Sequence, residues 1–460
     1  MGVLGSKTRA VWRRAVSLGW PVSVQQTFTT LMRTVDIIVT GLFSPAAVAA
    51  VGLADLYAQL PLRVGLGLGS GAITLSSQDT GRSADVTRDR AITLALVLGA
   101  LCGLPLVAAG LLFGEPLIAL LGAEPEVARL GGLYLTLVFG VAPMRIVGLV
   151  GARALQGAGD TRTPMLLNGS VNLLNAVLTV SLGLGLGPFP RLAIVGVGLA
   201  TAISRTIEAV AVIAAIWTPR TVLSLEPTWD PTIAKQVVSV SLPTFAEGMS
   251  TSLANFPFNA LILLFGTEAN AAYHIARRVY QQLAGPFYRS ASTVTSIIVG
   301  QTLGEGAAGD AHENAVAVVA LAFGLLTAAG VVMFLGAERI VALFTSDPET
   351  RHHAVAFTQV YAVSMPLFGL FFPFAGALRG AGDTRTPFYA RLVGAFVFML
   401  GGSYLLAVPL DYGLVGVYAG MVLSYACMAA IVVAGFYRGG WADTAASMIA
   451  EREESETAGD

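Results

Sequence analysis

The stretch 155–164, LQGAGDTRTP, returns at 378–387 as LRGAGDTRTP, with nine of its ten residues unchanged. The shift in numbering, from 155 to 378, is close to half of the 460-residue chain. The same shift carries Tyr57 to Tyr280, Gln59 to Gln282, Gln78 to Gln301, Gly81 to Gly304, Pro125 to Pro348 and Pro143 to Pro366. Chance matches do not hold one register over such distances, so the chain is two copies of one unit.

Composition says what each copy is. Apolar residues make up 55% of the chain and charged residues 12%, against about 25% charged in a soluble domain. Mean hydropathy is +0.72. The apolar runs are about 20–25 residues long, the length at which a helix crosses a bilayer. Backbone groups in lipid must be satisfied within their own segment, which makes the spans helical. Six are predicted per copy, at roughly 15–43, 47–74, 91–113, 128–152, 163–187 and 192–217, then at 237–266, 270–300, 313–336, 355–379, 386–410 and 413–437. An even number of spans returns the chain to the same side, so the copies are parallel repeats. The expected fold is an all-α membrane protein of 12 transmembrane helices, in two parallel six-helix lobes related by a pseudo-twofold axis along the membrane normal. The N-lobe is expected at 1–217, a linker at 218–236 with Pro219, Pro227 and Pro231, and the C-lobe at 237–440. The tail 441–460 is polar and acidic and reads as disordered.

Basic residues orient the chain. Lys7, Arg9, Arg13, Arg14, Arg82, Arg88, Arg90, Arg162, Arg220, Lys235 and Arg385 fall on one side, and Arg129, Arg191, Arg339 and Arg351 on the other. The positive-inside rule then puts both termini and the linker in the cytoplasm of a multi-pass cell (plasma) membrane protein. The first apolar run is too long for a cleavable leader and lacks a small-residue cleavage site. Cys102 and Cys427 lie inside spans and read as small packing residues. The four histidines, at 274, 312, 352 and 353, have no metal-ligand spacing. No cluster of groups for catalysis is apparent, so an intramembrane enzyme is not expected. The net charge of −1 says nothing about partners, and no nucleic-acid partner is expected.

The repeated decapeptide has a mechanical reading. Gly157 to Gly159 provide a turn after the fourth span, Asp160 or Thr163 caps the fifth, and Pro164 suits its first turn. The glycines do not fit a phosphate loop, which needs a G-x-x-x-x-G-K-[ST] pattern.

The doubled GAGDTRTP, with PVSVQQTFTTLMRTVDIIVTGL in the first span, AVAAVGLA opening the second, GLGPFP after the fifth and GVGLATAIS in the sixth, resembles the multidrug and toxic compound extrusion (MATE) family over nearly the whole chain. The resemblance implies a two-lobed antiporter that expels organic cations or other amphiphiles against H⁺ or Na⁺ by alternating access, with the coupling ion and no other cofactor. It also implies small-molecule substrates, a bilayer setting and a monomer that suffices. A lipid or lipid-linked oligosaccharide flippase of the same superfamily is the alternative reading. A major-facilitator transporter also has six plus six spans, but TGRSADVTRDR at 80–90 matches its basic motif poorly.

Ionisable groups inside a span are costly and by default functional. Asp36 lies inside the first span, with Arg33 close enough on the helix for an ion pair. Asn172 and Asn175 share a face of the fifth span. In the family an acid follows the Asn175 position by four residues, and here that residue is Thr179. The resemblance gives cation coupling to Asp36, Asn175, Thr179 and Thr201, with a Na⁺ site at Asp36, Asn175 and Thr201, and leaves H⁺ or Na⁺ open. Arg33 stands where a neutral polar residue is more usual. Asn172, Glu247, Asn255 and Asn259 are candidates for the substrate pathway, Glu247 being alternatively a solvated carboxylate near the end of its span. Thr251 and Phe368 replace the deeper C-lobe acids of another branch. Arg205 and Glu208, three apart, neutralise each other. Asp55, Arg63, Arg145, Arg277, Arg278 and Arg289 are charges without an assigned partner, and His274 reads as a packing residue. Pro21 is the expected bend in the first span.

Overall fold

The computed structural model describes residues 2–218, 221–227 and 229–459, without the side chains of 2–4, 33, 37, 458 and 459. The expected pairing of Arg33 with Asp36 falls outside the described residues, as do Pro219 and Arg220 of the linker. Every regular element among the described residues is helical.

The first half runs α1 (Gly2–Gly41), α2 (Pro45–Gly81), α3 (Asp85–Ala119), α4 (Pro125–Gly140), α5 (Ala142–Gly157), α6 (Arg162–Leu184) and α7 (Ala193–Trp217). The second runs α8 (Pro231–Leu263), α9 (Thr267–Leu283), α10 (Gly285–Gly304), α11 (Ala308–Val341), α12 (Pro348–Gly380), α13 (Arg385–Val393), a π-helical segment (Gly394–Gly402), α14 (Ser403–Ala407) and α15 (Gly413–Arg438). A closing helix, α16, covers Gly440–Gly459. The shift that relates the decapeptides maps one half onto the other. Gly81 and Gly304 end equivalent helices, Asp85 and Ala308 begin the next, and Leu184 and Ala407 close the fifth pair. The breaks are exchanged, however. The fourth span is split at Val141 with a 46° bend in the first half and continuous as α12 in the second. The second span is continuous through Pro61 as α2 and split at Ala284 into α9 and α10.

Among the described residues, eight helices are long and apolar enough to cross a membrane, with Arg385–Ala407 taken as one, and bent α4–α5 makes a ninth. The three others in the six-plus-six order, α1, α8 and α9–α10, are more polar. Lys7, Arg9, Arg13 and Arg14 stand on α1, and Glu268, Arg277 and Arg278 on α9.

Two compact units form, one of residues 1–23 with 242–453 (the C-unit) and one of 24–241 with 454–460 (the N-unit). The expected N-lobe boundary is therefore displaced, because the start of α1 packs with the second half. Trp12 Nε1 donates to Ala317 O over 2.8 Å, and Ser290 Oγ donates to Gly19 O over 2.8 Å. The linker is likewise docked. Ser224 N donates to Asp89 Oδ2 at 3.0 Å, Glu226 N donates to Thr93 Oγ1 at 2.9 Å, and its last residues, from Pro231, already belong to α8. The tail, expected to be disordered, is helical. Trp441, Ala445 and Met448 form a buried stripe at helical spacing, and Trp441 stacks on Phe436 at 5.1 Å. The acidic residues that gave the tail its composition occupy other positions.

The repeated decapeptide folds alike in both copies. Gly159 and Gly382 take φ of +94° and +92°, where a Cβ is penalised. Asp160, and not Thr163, supplies the cap: its Oδ1 accepts from Arg162 N at 3.1 Å and Thr163 N at 2.9 Å. Asp383 Oδ1 accepts from Thr386 N at 3.0 Å. Gly157 has a further role, since a Cβ there would stand 2.7 Å from Ile73 O. Gly380, its counterpart in the second copy, meets Ser296 O in the same way.

Candidate functional site

On α6, Asn168, Asn172, Asn175 and Thr179 recur at intervals of four, three and four, and all are buried. That spacing puts them on one face, over about 16 Å of helix. Thr29 and Asp36 of α1 meet this face, and the polar groups fall into two hydrogen-bonded sets.

The first set contains Asp36. Thr179 Oγ1 lies 3.3 Å from Asp36 Oδ1 and 3.4 Å from Asn175 Oδ1. A carboxylate, an amide carbonyl and a hydroxyl thus present oxygens to one another inside a membrane-spanning unit. Oxygen donors suit a hard cation, and a carboxylate can equally carry a proton, so the donor set fits Na⁺ or H⁺. Thr179 holds the central position although it lacks the charge expected there. Thr201, on α7, is half-buried, and among the described residues none hydrogen-bonds its hydroxyl. The structure therefore joins Asp36, Asn175 and Thr179 and leaves Thr201 apart from their bonding.

The second set lies toward the repeated decapeptide. Gln156 Nε2 donates to Gln25 Oε1 at 3.0 Å. Thr29 Oγ1 donates to Gln25 O and contacts Asn168 Oδ1, at 3.0 and 3.2 Å. Asn168 Nδ2 donates to Glu208 Oε1 at 2.9 Å, and Asn172 Nδ2 to Asn168 Oδ1 at 2.7 Å. Arg205 Nη1 donates to Glu208 Oε2 at 2.6 Å, the neutralising pair expected from sequence. Asn168 was missed as a member of this set. Its signal was present in the spacing to Asn172 and Thr179 on an otherwise apolar helix.

Between α1 and α6 lies a cleft of about 380 Å³, lined by Val24, Phe28, Met32, Val35, Met165 and Asn172 among others. Asn172 Oδ1 is buried and accepts no hydrogen bond from a described residue. An apolar wall suits the apolar body of an amphiphile.

The C-lobe candidates behave differently. Glu247 is not a solvated carboxylate: it is 6% exposed and accepts from Arg379 Nη2 at 2.7 Å and Arg391 Nε at 3.3 Å. Desolvation made pairing necessary, and both partners come from distant parts of the chain, beyond any local pattern. Asn259 offers its backbone carbonyl to Asn270 Nδ2 at 3.4 Å, while its Oδ1 is buried without a partner among the described residues. Asn255 is half-buried on the preceding turn. The Thr251 hydroxyl is spent on Glu247 O at 2.9 Å. Of the unassigned charges, Arg145 Nη1 donates to Ala58 O at 3.1 Å and Arg289 lies 5.7 Å from the Tyr288 ring centre. His274 packs edge-on against Tyr273.

The family model described as MatE matches residues 21–181 and 243–405, two segments that open on Pro21 and Pro243. A probable multidrug resistance protein NorM of Rhodopseudomonas palustris is 29% identical over 456 residues, covering 95% of this chain and 94% of its own. A second, from Bradyrhizobium diazoefficiens, is 28% identical over 433 residues and 91% of either chain. Among solved structures, a MATE protein in its straight conformation superposes with a TM-score of 0.85 at 22% identity, covering 96% of each chain. A MOP superfamily transporter from Pyrococcus furiosus does so with 0.86 at 22% identity, over 92% of this chain and 95% of its own. These structures carry the same 12-helix fold.

Proposed function

The chain belongs to the MatE family, and on that premise we propose that it is a secondary active antiporter, exporting organic cations or other amphiphiles in exchange for H⁺ or Na⁺. The contact that carries this reading is Thr179 Oγ1 between Asp36 and Asn175, at 3.3 and 3.4 Å. A cation taken up there would be held by oxygens alone and released when the set opens. The names of the NorM relatives, as multidrug resistance proteins, support export of small molecules rather than an enzymatic role.

Coupling requires that ion and substrate favour different conformers, since equal affinity for both would shift nothing. Asp36 is the ion-bearing group of the scheme, Asn175 and Thr179 hold its oxygens in place, and Asn172 borders the α1–α6 cleft in which a substrate would lie. Thr201, on α7, is carried in the scheme as a fourth oxygen donor by the family resemblance alone. On this reading both termini lie on the cytoplasmic side of the cell membrane, and one chain suffices.

The test is efflux of a fluorescent organic cation from proteoliposomes, driven in turn by a pH gradient and by a sodium gradient. Efflux under one gradient is expected. Its failure under both, across several dyes, would sink the antiporter reading and favour a lipid or polyprenyl-lipid flippase.

A further inference from the structure

The C-unit is unbalanced in charge where it crosses the membrane. Within the six spans expected from 237 to 437, the acids are Glu247 and, at the very start of its span, Glu313. Against them stand Arg277, Arg278, Arg289, Arg379 and Arg391. Arg379 and Arg391 both turn to Glu247, so that group keeps a net positive charge. Arg391 also lies over the rings of Phe371 and Phe372, at 4.7 and 5.5 Å from their centres.

Arg277 has no carboxylate beside it among the described residues. Its neighbours are the phenols of Tyr273, Tyr280, Tyr361 and Tyr425. An aromatic chain connects the two arginines. Tyr280 stacks on Tyr361 at 4.1 Å and reaches Phe368 at 5.8 Å. Phe368 touches Tyr288 at 5.8 Å, and Tyr288 stacks on Phe372 at 4.1 Å, under Arg391. Tyr273, Tyr288 and Tyr361 are at most 5% exposed.

A guanidinium out of water needs an anion or its desolvation goes uncompensated. Phenols can donate to an anion, yet they only weakly offset a cation. We propose that this cluster, from Arg277 to Arg391, binds the acidic head of an amphiphile, a carboxylate or a phosphate, with the aromatic residues holding its apolar body. Arginine meets such heads with two parallel hydrogen bonds. An organic cation would instead meet like charge here, so this lobe discriminates against the substrates that the α1–α6 cleft suits. The inference deepens the exporter reading and rests on it only for the claim that the bound amphiphile is cargo.

The experiment is fluorescence titration of the purified full chain in zwitterionic nanodiscs, with a dansyl-labelled undecanoic acid and its methyl ester. The acid is expected to bind roughly tenfold or more tightly than the ester, a difference of about 1.4 kcal/mol. Arg277→Gln and Arg391→Gln should each erase most of that difference, and Arg277→Lys should keep part of it. Equal affinity of acid and ester for the unaltered chain would overturn the site, as would selectivity that survives both glutamine variants. Should a glutamine variant fail to fold, Tyr273→Phe is the substitute, and it is expected to weaken the acid alone. Repeating the titration with phosphatidylglycerol in the disc separates the sources: displacement of the probe identifies a lipid headgroup, and its retention an exported solute. Cation efflux in the same preparation distinguishes the failures. Its loss with the acid preference intact removes the exporter reading and leaves the site standing.

Discussion

Arg379 and Glu247 meet at 2.7 Å in the place where, one repeat earlier, Gln156 and Gln25 meet at 3.0 Å. Gln25 and Glu247 each stand four positions after the proline of their span, Pro21 and Pro243. Gln156 and Arg379 are the only difference between the two decapeptides, and the partner has changed with it. The third member follows suit. Asn168 lies next to Thr29 at 3.2 Å in the first copy, and its counterpart in the second is Arg391, which reaches Glu247. One backbone arrangement therefore holds an amide pair in one unit, with Asn168 reached only through Thr29, and a charged trio in the other. Removing Arg379 alone, as Arg379→Gln, leaves a buried carboxylate with one partner and should cost about 2–4 kcal/mol. Restoring the residues of the first copy, as Glu247→Gln with Arg379→Gln and Arg391→Asn, should recover most of that loss. Thermal unfolding in detergent reads both. A triple variant no more stable than Arg379→Gln would refute the equivalence.

Asp36→Asn should leave the protein folded and abolish ion-driven efflux, since the amide cannot exchange a proton or neutralise a cation. Thr179→Val keeps the shape and removes the hydroxyl between Asp36 and Asn175. The expected penalty is that of one hydrogen bond, about 0.5–1.5 kcal/mol, seen as a several-fold rise in the ion concentration for half-maximal efflux. Coupled efflux undiminished in Asp36→Asn would take the N-unit site out of the scheme.

Close helix contact predicts a sharp contrast among glycines. Gly157→Ala places a methyl 2.7 Å from Ile73 O and should destabilise by about 1–3 kcal/mol, with Gly380→Ala comparable. At Gly41 nothing lies within 4 Å, so Gly41→Ala should be silent or slightly stabilising. Equal melting midpoints for all three variants would show that the turn alone accounts for the repeated glycines.

Asp347 caps α12, its Oδ2 accepting from Thr350 N at 2.8 Å. Thr350, through its side-chain hydroxyl first and this backbone N–H second, holds the carboxyl below the ordinary Asp value. A lowered folded-state pKa means that the cap's contribution is fully present above the ordinary Asp range. It is lost as pH falls through the lowered value. Amide exchange at Thr350 should accelerate beyond the intrinsic pH trend only in strong acid, and Asp347→Ala should remove that dependence. Protection unchanged by the substitution would assign the cap to the backbone.

What the sequence made legible was whatever repeats or alternates. The constant shift between copies located both decapeptides and aligned the helix ends, and apolar run length found most spans. Composition misled at the tail, because three buried apolar residues among many acidic ones vanish in an average. It also could not divide α1 between two units, since neither Trp12 nor Gly19 carries any local sign of its partner. At the site, Asp36, Asn175 and Thr179 were readable from family pattern and helical spacing. Glu247 was not, because its fate depends on arginines brought from α12 and α13 by tertiary folding. Thr201 shows the converse: a position named by resemblance alone, whose hydroxyl lies outside the bonded set.

The fifth spans of the two halves, Arg162–Leu184 and Arg385–Ala407, are equal in length, yet only the second contains a π-helical stretch, at Gly394–Gly402. A wider winding advances the chain less per turn and rotates everything after it relative to its twin. In α6 the positions of Asn168, Asn172, Asn175 and Thr179 form a single edge, while their counterparts Arg391, Ala395, Phe398 and Gly402 straddle a change of pitch. Two segments of equal length and common descent thereby present different surfaces to their own unit. Duplication here preserved the outline of the helix and let its phase drift, and phase decides which half can line up oxygens along an axis.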